Sequence, residues 1–287
     1  MNRRSFLGTL GATSLAGLAG GYKCGAFSNH AAGDATEGAL GPAGLQLYTV
    51  RGAMATDFHG TLARVAAVGY REVEFAGYFG RSAEDVRTVL VEVGLVAPAG
   101  HFSLNDLERR WNETVAFAAA VGHEYVVLPW HRAERRRNLA DYRQLARLCN
   151  DFGARCRDAG LTFAYHNHDF EFIPMEGVIP YDVLTEETDP ELVKLELDLY
   201  WIRKGGQDAL RYFARYPGRF PAVHLKDSAG PPDERMVEVG SGVIDWKAIL
   251  GAREQAGIRH LFVEHDNPAD PFGSISQSFR YLRDLRL

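Results

Sequence analysis

His166, Asp198, His224 and Glu264 each stand at the end of a short apolar run: Thr162-Phe-Ala-Tyr-His166, Leu192-Val-Lys-Leu-Glu-Leu-Asp198, Ala222-Val-His224 and His260-Leu-Phe-Val-Glu264. Two imidazoles and two carboxylates form a donor set that suits Mn²⁺, Zn²⁺, Co²⁺ or Fe²⁺ better than Ca²⁺ or Mg²⁺. Taken singly, each residue has an ordinary structural explanation: His224 and Glu264 as a buried pair, Asp198 as the cap of the next turn. Taken together they bury charge that is costly without a counter-ion, and a bound cation would supply one. His168 shares the face of His166 by strand alternation, so it stands as an alternative ligand or a substrate contact.

Other runs also finish on polar groups. Glu74, His101, Trp130-His131, Lys226-Asp227 and His265-Asp266 occupy corresponding positions. Such residues do chemistry only if the chain gathers the run ends at one place.

The elements that could gather them repeat along the sequence. At Gly69, Gly94, Gly122, Gly160 and Gly257 a helical pattern stops and an apolar run begins within a few residues. Glycine just past a helix end takes the left-handed conformation and stops the helix. With Leu45–Tyr48, Leu192–Leu197 and Ala222–Leu225 added, eight strands start near residues 45, 72, 96, 125, 162, 192, 222 and 260. Helical patterns at Leu62–Val68, Ala83–Val93, Leu139–Ala159, Trp246–Ala256 and Ile275–Leu285 alternate with them. Eight alternations in about 250 residues predict a single α/β domain, a (β/α)₈ barrel over residues 41–287, whose strand C-termini carry the chemistry. An open dinucleotide-binding sheet would need a glycine-rich loop after the first strand. Tyr48-Thr-Val-Arg51 is not one.

The first 40 residues read as a signal peptide and linker. Arg3-Arg4-Ser5-Phe6-Leu7 resembles a twin-arginine motif, and the Gly/Ala/Leu run after it is too weak for a stable membrane span. Export to the periplasm or beyond is the expectation. Cys24, Cys149 and Cys156 do not make a disulfide framework. Without residues 1–25, which hold Arg3, Arg4 and Lys23 and no acid, 29 basic residues face 37 acidic ones, a net −8. Such a surface repels phosphate backbones, so no nucleic acid is expected as a partner.

Four motifs in order, Tyr165-His-Asn-His-Asp-Phe-Glu-Phe172, Leu197-Asp-Leu-Tyr-Trp201, Val223-His-Leu-Lys-Asp227 and Val263-Glu-His-Asp266, resemble the sugar phosphate isomerase/epimerase family of xylose isomerase-like TIM barrels. Val239-Gly-Ser-Gly-Val-Ile-Asp-Trp246 looks like that family's loop after strand seven. The resemblance spans residues 44–287. It implies a divalent metal, manganese first, on His166, Asp198, His224 and Glu264, and a small carbohydrate as substrate. One departure stands out: His166 occupies a position where many members carry a glutamate that also moves a proton. The HNH form looks more like a subgroup with exported members, some acting on 3-keto-glycosides.

The implied chemistry is proton abstraction beside a carbonyl of an unphosphorylated sugar. Glu264 is the ligand and candidate base. Glu74 or His168 would return the proton, and Lys226 would stabilise developing negative charge. His101, His131, Trp130, Trp201 and Glu238 are the substrate-contact candidates. Isomerisation or epimerisation is the first expectation. Elimination from a 3-keto-glycoside is the second, and a non-catalytic exported sugar-binding protein is the alternative of another class. The oligomeric state is not legible in the sequence.

Overall fold

The structure, a computed structural model, describes residues 43–287. The expected signal segment lies outside the described residues.

Eight parallel strands close a barrel: β1 (Gly44–Gln46), β2 (Glu72–Phe75), β3 (Val96–His101), β4 (Tyr125–Leu128), β5 (Thr162–His166), β6 (Val193–Asp198), β7 (Ala222–Leu225) and, after a small hairpin, β10 (His260–Val263). Each pairs with its sequence neighbour, and β1 closes the ring against β10 through Gly44–Phe262 and Leu45–Val263. All eight expected strands are present. The glycines after the helices Phe58–Val68, Ala83–Val93, Trp111–Val121, Leu139–Asp158 and Arg253–Ala256 have positive φ, from 72° at Gly94 to 127° at Gly69. At Gly69 the absent side chain also matters, since a Cβ there would lie 2.4 Å from the Phe279 ring.

Several boundaries differ from the sequence expectation: the first strand gives way to a 3₁₀ turn at Leu47, and the last helix runs Pro271–Asp284. The helix expected over Trp246–Ala256 breaks into Trp246–Gly251 and Arg253–Ala256, at a glycine that weakens a helix interior. The hairpin of β8 (Asp227–Ser228) and β9 (Met236–Val237) is new. Two-residue strands are too short to leave a periodic signal.

Strand alternation sorts the barrel into two cores. Outward-facing residues such as Leu45, Val73, Val126, Phe163, Leu195, Val223 and Leu261 pack against the helices in one large cluster. Inward, Ala99, Tyr125, Val127, Ala164, Ala222 and Phe262 form a separate small cluster. Small residues there make room for the Phe262 ring, which lies where a Cβ on Gly44 would fall at 2.6 Å. This apolar plug fills the middle of the barrel. Polar side chains can then occupy only its two ends.

Cys149 and Cys156 are free and buried on one helix, with burial pushing the Cys156 thiol up to about 12. Among the described residues no helix is long and apolar enough to cross a membrane.

Candidate active site

Above the plug, the inward positions turn polar in two successive layers. The inner layer holds Gln46, Glu74, His101 and Glu196 from β1, β2, β3 and β6, with His166 and His224 rising from β5 and β7. The outer layer holds Asp198, Lys226 and Glu264, two positions beyond Glu196, His224 and Phe262, with Asp266 two positions further on. A mouth of about 290 Å³ opens above them, lined by Tyr48, His101, Trp130, His166, His168, Lys226 and Glu264 among others.

The outer layer brings together three of the four expected ligands at close range. His224 Nδ1 lies 2.7 Å from Glu264 Oε2 and 3.7 Å from Asp198 Oδ2. His166 Nε2 is 3.9 Å from the same Asp198 oxygen. Asp198 is held by its backbone surroundings: Oδ1 accepts the N–H groups of Tyr200 and Trp201, capping the helix Leu199–Lys204. Asn167 braces the strand end, its Oδ1 accepting the Asp198 N–H at 3.0 Å. That fixes Asp198 Oδ2 toward the barrel axis.

The Lys226 ammonium, only 2 % exposed, already sits among these acids, 3.0 Å from Asp198 Oδ2, 2.8 Å from Glu264 Oε2 and 2.8 Å from Asp266 Oδ1. Burial alone would discharge it, but the three carboxylates outweigh burial and raise its pKa well above the ordinary lysine value. Burial pushes Asp198 up to about 6, with Lys226 and His224 limiting the rise. At Glu264 the opposite balance holds: burial is overcome by Lys226 and His224, which hold the carboxyl well below its usual range.

The donor set fits a divalent cation on its own observations. Ligand atoms of Asp198, His224 and Glu264 lie within 4.8 Å of one another. Asp198 Oδ2 and His224 Nδ1 are buried without a hydrogen-bonded partner. Nitrogen with two carboxylate oxygens is a donor mix for Mn²⁺, Zn²⁺, Co²⁺ or Fe²⁺. This buried cluster therefore suggests a divalent-metal site.

The remaining expected residues fall in three groups. His168 and Trp130 face the mouth: Trp130 is 45 % exposed on its rim opposite Tyr48, which is 40 % exposed. His168 is clamped between Phe170, stacked at 5.3 Å, and Trp201 at 5.6 Å, and its Nδ1 has no partner. Burial and the nearby Lys226 push its pKa down to about 3, so the ring is neutral. Trp201 thus acts as a wall, with Lys226 Nζ 5.5 Å from its ring.

Glu74 is not brought to the mouth. It is fully buried, with Gln46 Nε2 donating at 2.8 Å and His224 Nε2 at 2.6 Å. His101 bridges the two zones: its Nε2 is 3.0 Å from Glu196 Oε2 and 3.3 Å from Glu74 Oε1, while its ring edge lines the mouth. Burial disfavours a charged His101, yet Glu74 and Glu196 prevail and lift its pKa to about 9.

His131 turns away, its Nε2 hydrogen-bonding the Arg135 carbonyl at 2.7 Å, which the 3₁₀ turn Ala133–Arg135 brings back to it past the end of β4. Glu238 lies half-buried on the loop after β9, near His265 rather than in the mouth lining. Glu171 is buried and accepts from Tyr165 Oη at 2.5 Å and the His168 N–H at 2.8 Å, which ties the loop down under His168.

Sequence reasoning missed Gln46, Tyr48 and Glu196. The alternation rule contained the signal for Glu196, two residues before Asp198 on one strand. Gln46 carried none, since nothing distinguishes it from a strand-end amide. The loop after β7 is anchored by Asp227, whose carboxylate accepts the backbone N–H groups of Ser228, Gly240, Gly242 and Ile244 and the Trp246 indole N–H. A Cβ on Gly242 would lie 2.1 Å from the Ser228 carbonyl, which explains the glycine in that loop.

Residues 62–285 match the Xylose isomerase-like TIM barrel family. The chain belongs to that family. An inosose dehydratase of Lacticaseibacillus casei is 28% identical over 162 residues, covering 50% of this chain and 54% of the relative. One of Geobacillus thermodenitrificans is 30% identical over 155 residues, covering 47% and 51%. The chain spans about half the length of these curated relatives. A Parabacteroides distasonis sugar phosphate isomerase/epimerase structure superposes with a TM-score of 0.75 at 25% identity, over 88% of this chain and 96% of that one. In barrel and relatives the chain is similar to sugar isomerases, epimerases and dehydratases.

Proposed function

We propose that the protein abstracts a proton beside the carbonyl of an unphosphorylated keto-sugar or keto-cyclitol and then expels a β-substituent, acting as a dehydratase or lyase. The observation that carries this reading is the single glutamate of the mouth. Glu264 lines it, whereas Glu74 and Glu196 are sealed beneath the imidazoles of His101, His166 and His224. Among the described residues no second glutamate lines the mouth, so the paired-glutamate arrangement for returning a proton to the opposite face is lacking, while His168 and His101 can serve as the base and acid of an elimination.

A bound divalent ion would polarise the substrate's oxygens; Asp198, His224, Glu264 and His166 are the residues that would hold it. His168, neutral and with an unpartnered Nδ1, is placed to accept the proton. His101, held protonated by Glu74 and Glu196, faces the same mouth and can donate to a departing oxygen. Opposed protonation states on neighbouring groups are the usual signature of an acid–base pair. Lys226 offsets the negative charge that develops on the substrate oxygen. Trp130 and Tyr48 give the sugar's apolar face a surface to lie on.

The dehydratase names of the curated relatives support the same reading, although the alignments cover only about half of them. Isomerisation or epimerisation is the second reading, favoured by the Parabacteroides similarity over nearly the whole barrel. Incubating metal-loaded protein with keto-sugars and an inosose in D₂O separates them. Elimination gives an unsaturated ketone with loss of water or aglycone. Isomerisation gives deuterium at carbon with no loss. A protein that exchanges no carbon-bound hydrogen in any of them is a sugar binder, and the enzyme reading fails.

Export belongs to the same proposal and rests on Arg3-Arg4-Ser5-Phe6-Leu7 and the Gly/Ala/Leu run. Fusing residues 1–40 to a reporter active only outside the cytoplasm, with Arg3-Arg4 replaced by lysines as control, tests it.

A further inference from the structure

The inner layer contains a donor set that the proposed reaction does not use as a metal site. His101 Nε2, His166 Nδ1 and His224 Nε2 stand 3.0, 3.3 and 3.2 Å from one oxygen, Glu196 Oε2. One ligand atom from each of the four residues lies within 4.8 Å of the other three. They come from four strands, β3, β5, β6 and β7, so their convergence is a property of the closed barrel. For zinc with bonds of about 2.0–2.1 Å, the donors of a tetrahedral site stand about 3.3 Å apart. The spacing found around Glu196 matches.

Hydrogen bonding accounts for only part of the cluster. His101 Nε2 bonds Glu196 Oε2 and His224 Nε2 bonds Glu74 Oε2, while His166 Nδ1 and Glu196 Oε1 are cut off from solvent with no hydrogen-bonded partner. Glu74 and Glu196 are fully buried, and among the described residues their ion pairs run only to histidines. One divalent cation would balance the two carboxylates in place of the protons those rings otherwise hold. An entry path exists, because His101 keeps 12 % of its side chain open to the mouth.

We propose that the inner layer is a divalent-metal position in its own right, formed by His101, His166, His224 and Glu196 with Glu74 alongside, and suited to zinc or a similarly imidazole-loving ion. It shares His166 and His224 with the outer position, and filling it would take His101 Nε2 away from Glu74 and Glu196. His224 faces both layers, Nε2 inward and Nδ1 outward. With both positions filled, His224 would offer one nitrogen to each ion, which requires its ring protons to leave to solvent.

The test is a zinc-edge anomalous map of wild-type crystals grown with two equivalents of zinc, beside metal counts on wild type, Glu196→Gln and Asp198→Asn. An anomalous peak within bonding distance of the four inner atoms is expected, with Glu196→Gln losing one equivalent that Asp198→Asn retains. A peak confined to the inner layer would support the inference and sink the outer assignment. A map with density only beside Asp198 and Glu264, and metal lost in Asp198→Asn alone, would overturn the inference and leave the proposed function standing. If Glu196→Gln does not fold, the wild-type map decides alone.

Discussion

The two ends of the barrel treat buried charge in opposite ways. At the N-terminal end Glu72 and His260 form one pair at 2.9 Å, covered by Tyr125 at 5.6 Å and by Phe262 stacked at 6.0 Å. One acid meets one base, and neither is left with an orphaned buried atom. At the C-terminal end Glu74, Glu196, Asp198 and Glu264 crowd around His101, His166, His224 and Lys226, and five of their polar atoms lack a partner. Buried polar atoms are normally satisfied. The lower end therefore looks built for stability, and the upper end looks built to receive something.

The sharpest way to break that contrast is to remove one carboxylate from each end. Glu264→Gln should lower the rate of carbon-hydrogen exchange on a keto-sugar by roughly 10²–10⁴-fold while the fold survives. Glu72→Gln should leave the rate within about twofold and cost about 1 kcal/mol of stability in urea unfolding. Equal losses of activity from both would end the distinction.

Asp227 is the exception that sharpens it, since it sits at the upper end yet accepts five hydrogen bonds. Asp227→Ala should behave like a structural lesion, losing on the order of 3 kcal/mol, with metal content unchanged in a count on the folded fraction. Metal lost along with stability would place Asp227 among the site's supports.

Glu171 gives a pH-dependent test. Burial raises its pKa from 4.5 to about 8, against the hydrogen bonds from Tyr165 and His168. The folded protein keeps the proton that the unfolded chain has released, so this group's contribution to stability falls as pH rises from 4.5 to 8 and is level above. The slope is at most about 1.4 kcal/mol per pH unit. Urea midpoints across that range should flatten in Glu171→Gln.

Trp130→Ala should have the smallest effect, raising KM by about 0.5–1.5 kcal/mol equivalent with an unchanged melting temperature, because nearly half the side chain is already in solvent. A larger stability loss would mean that Trp130 packs rather than binds.

The barrel was readable because its signals are local. A glycine that stops a helix and a buried strand that follows it recur at fixed intervals, and each is written in adjacent residues. The strand-end residues were readable for a related reason: a parallel strand buried on both faces has few places for a charge except its end. His131 shows the limit. It ends a run like the others, but the 3₁₀ turn Ala133–Arg135 brings the Arg135 carbonyl to its ring, and no spacing rule encodes that contact. Glu196 shows the converse, a functional-looking acid masked by leucines on either side.

By itself the sequence determined the eight-fold alternation, the family likeness and the polar character of the mouth, because propensity, capping and apolar patterning act over a few residues. The tertiary structure decided that Glu74 lies beneath the imidazoles, that Lys226 already neutralises part of the outer layer, and that each ring of His166 and His224 presents one nitrogen to each layer. Those outcomes depend on closing the sheet, which sets strand stagger and rotation together. Distances between side chains on β2, β6 and β7 exist only once the ring is shut.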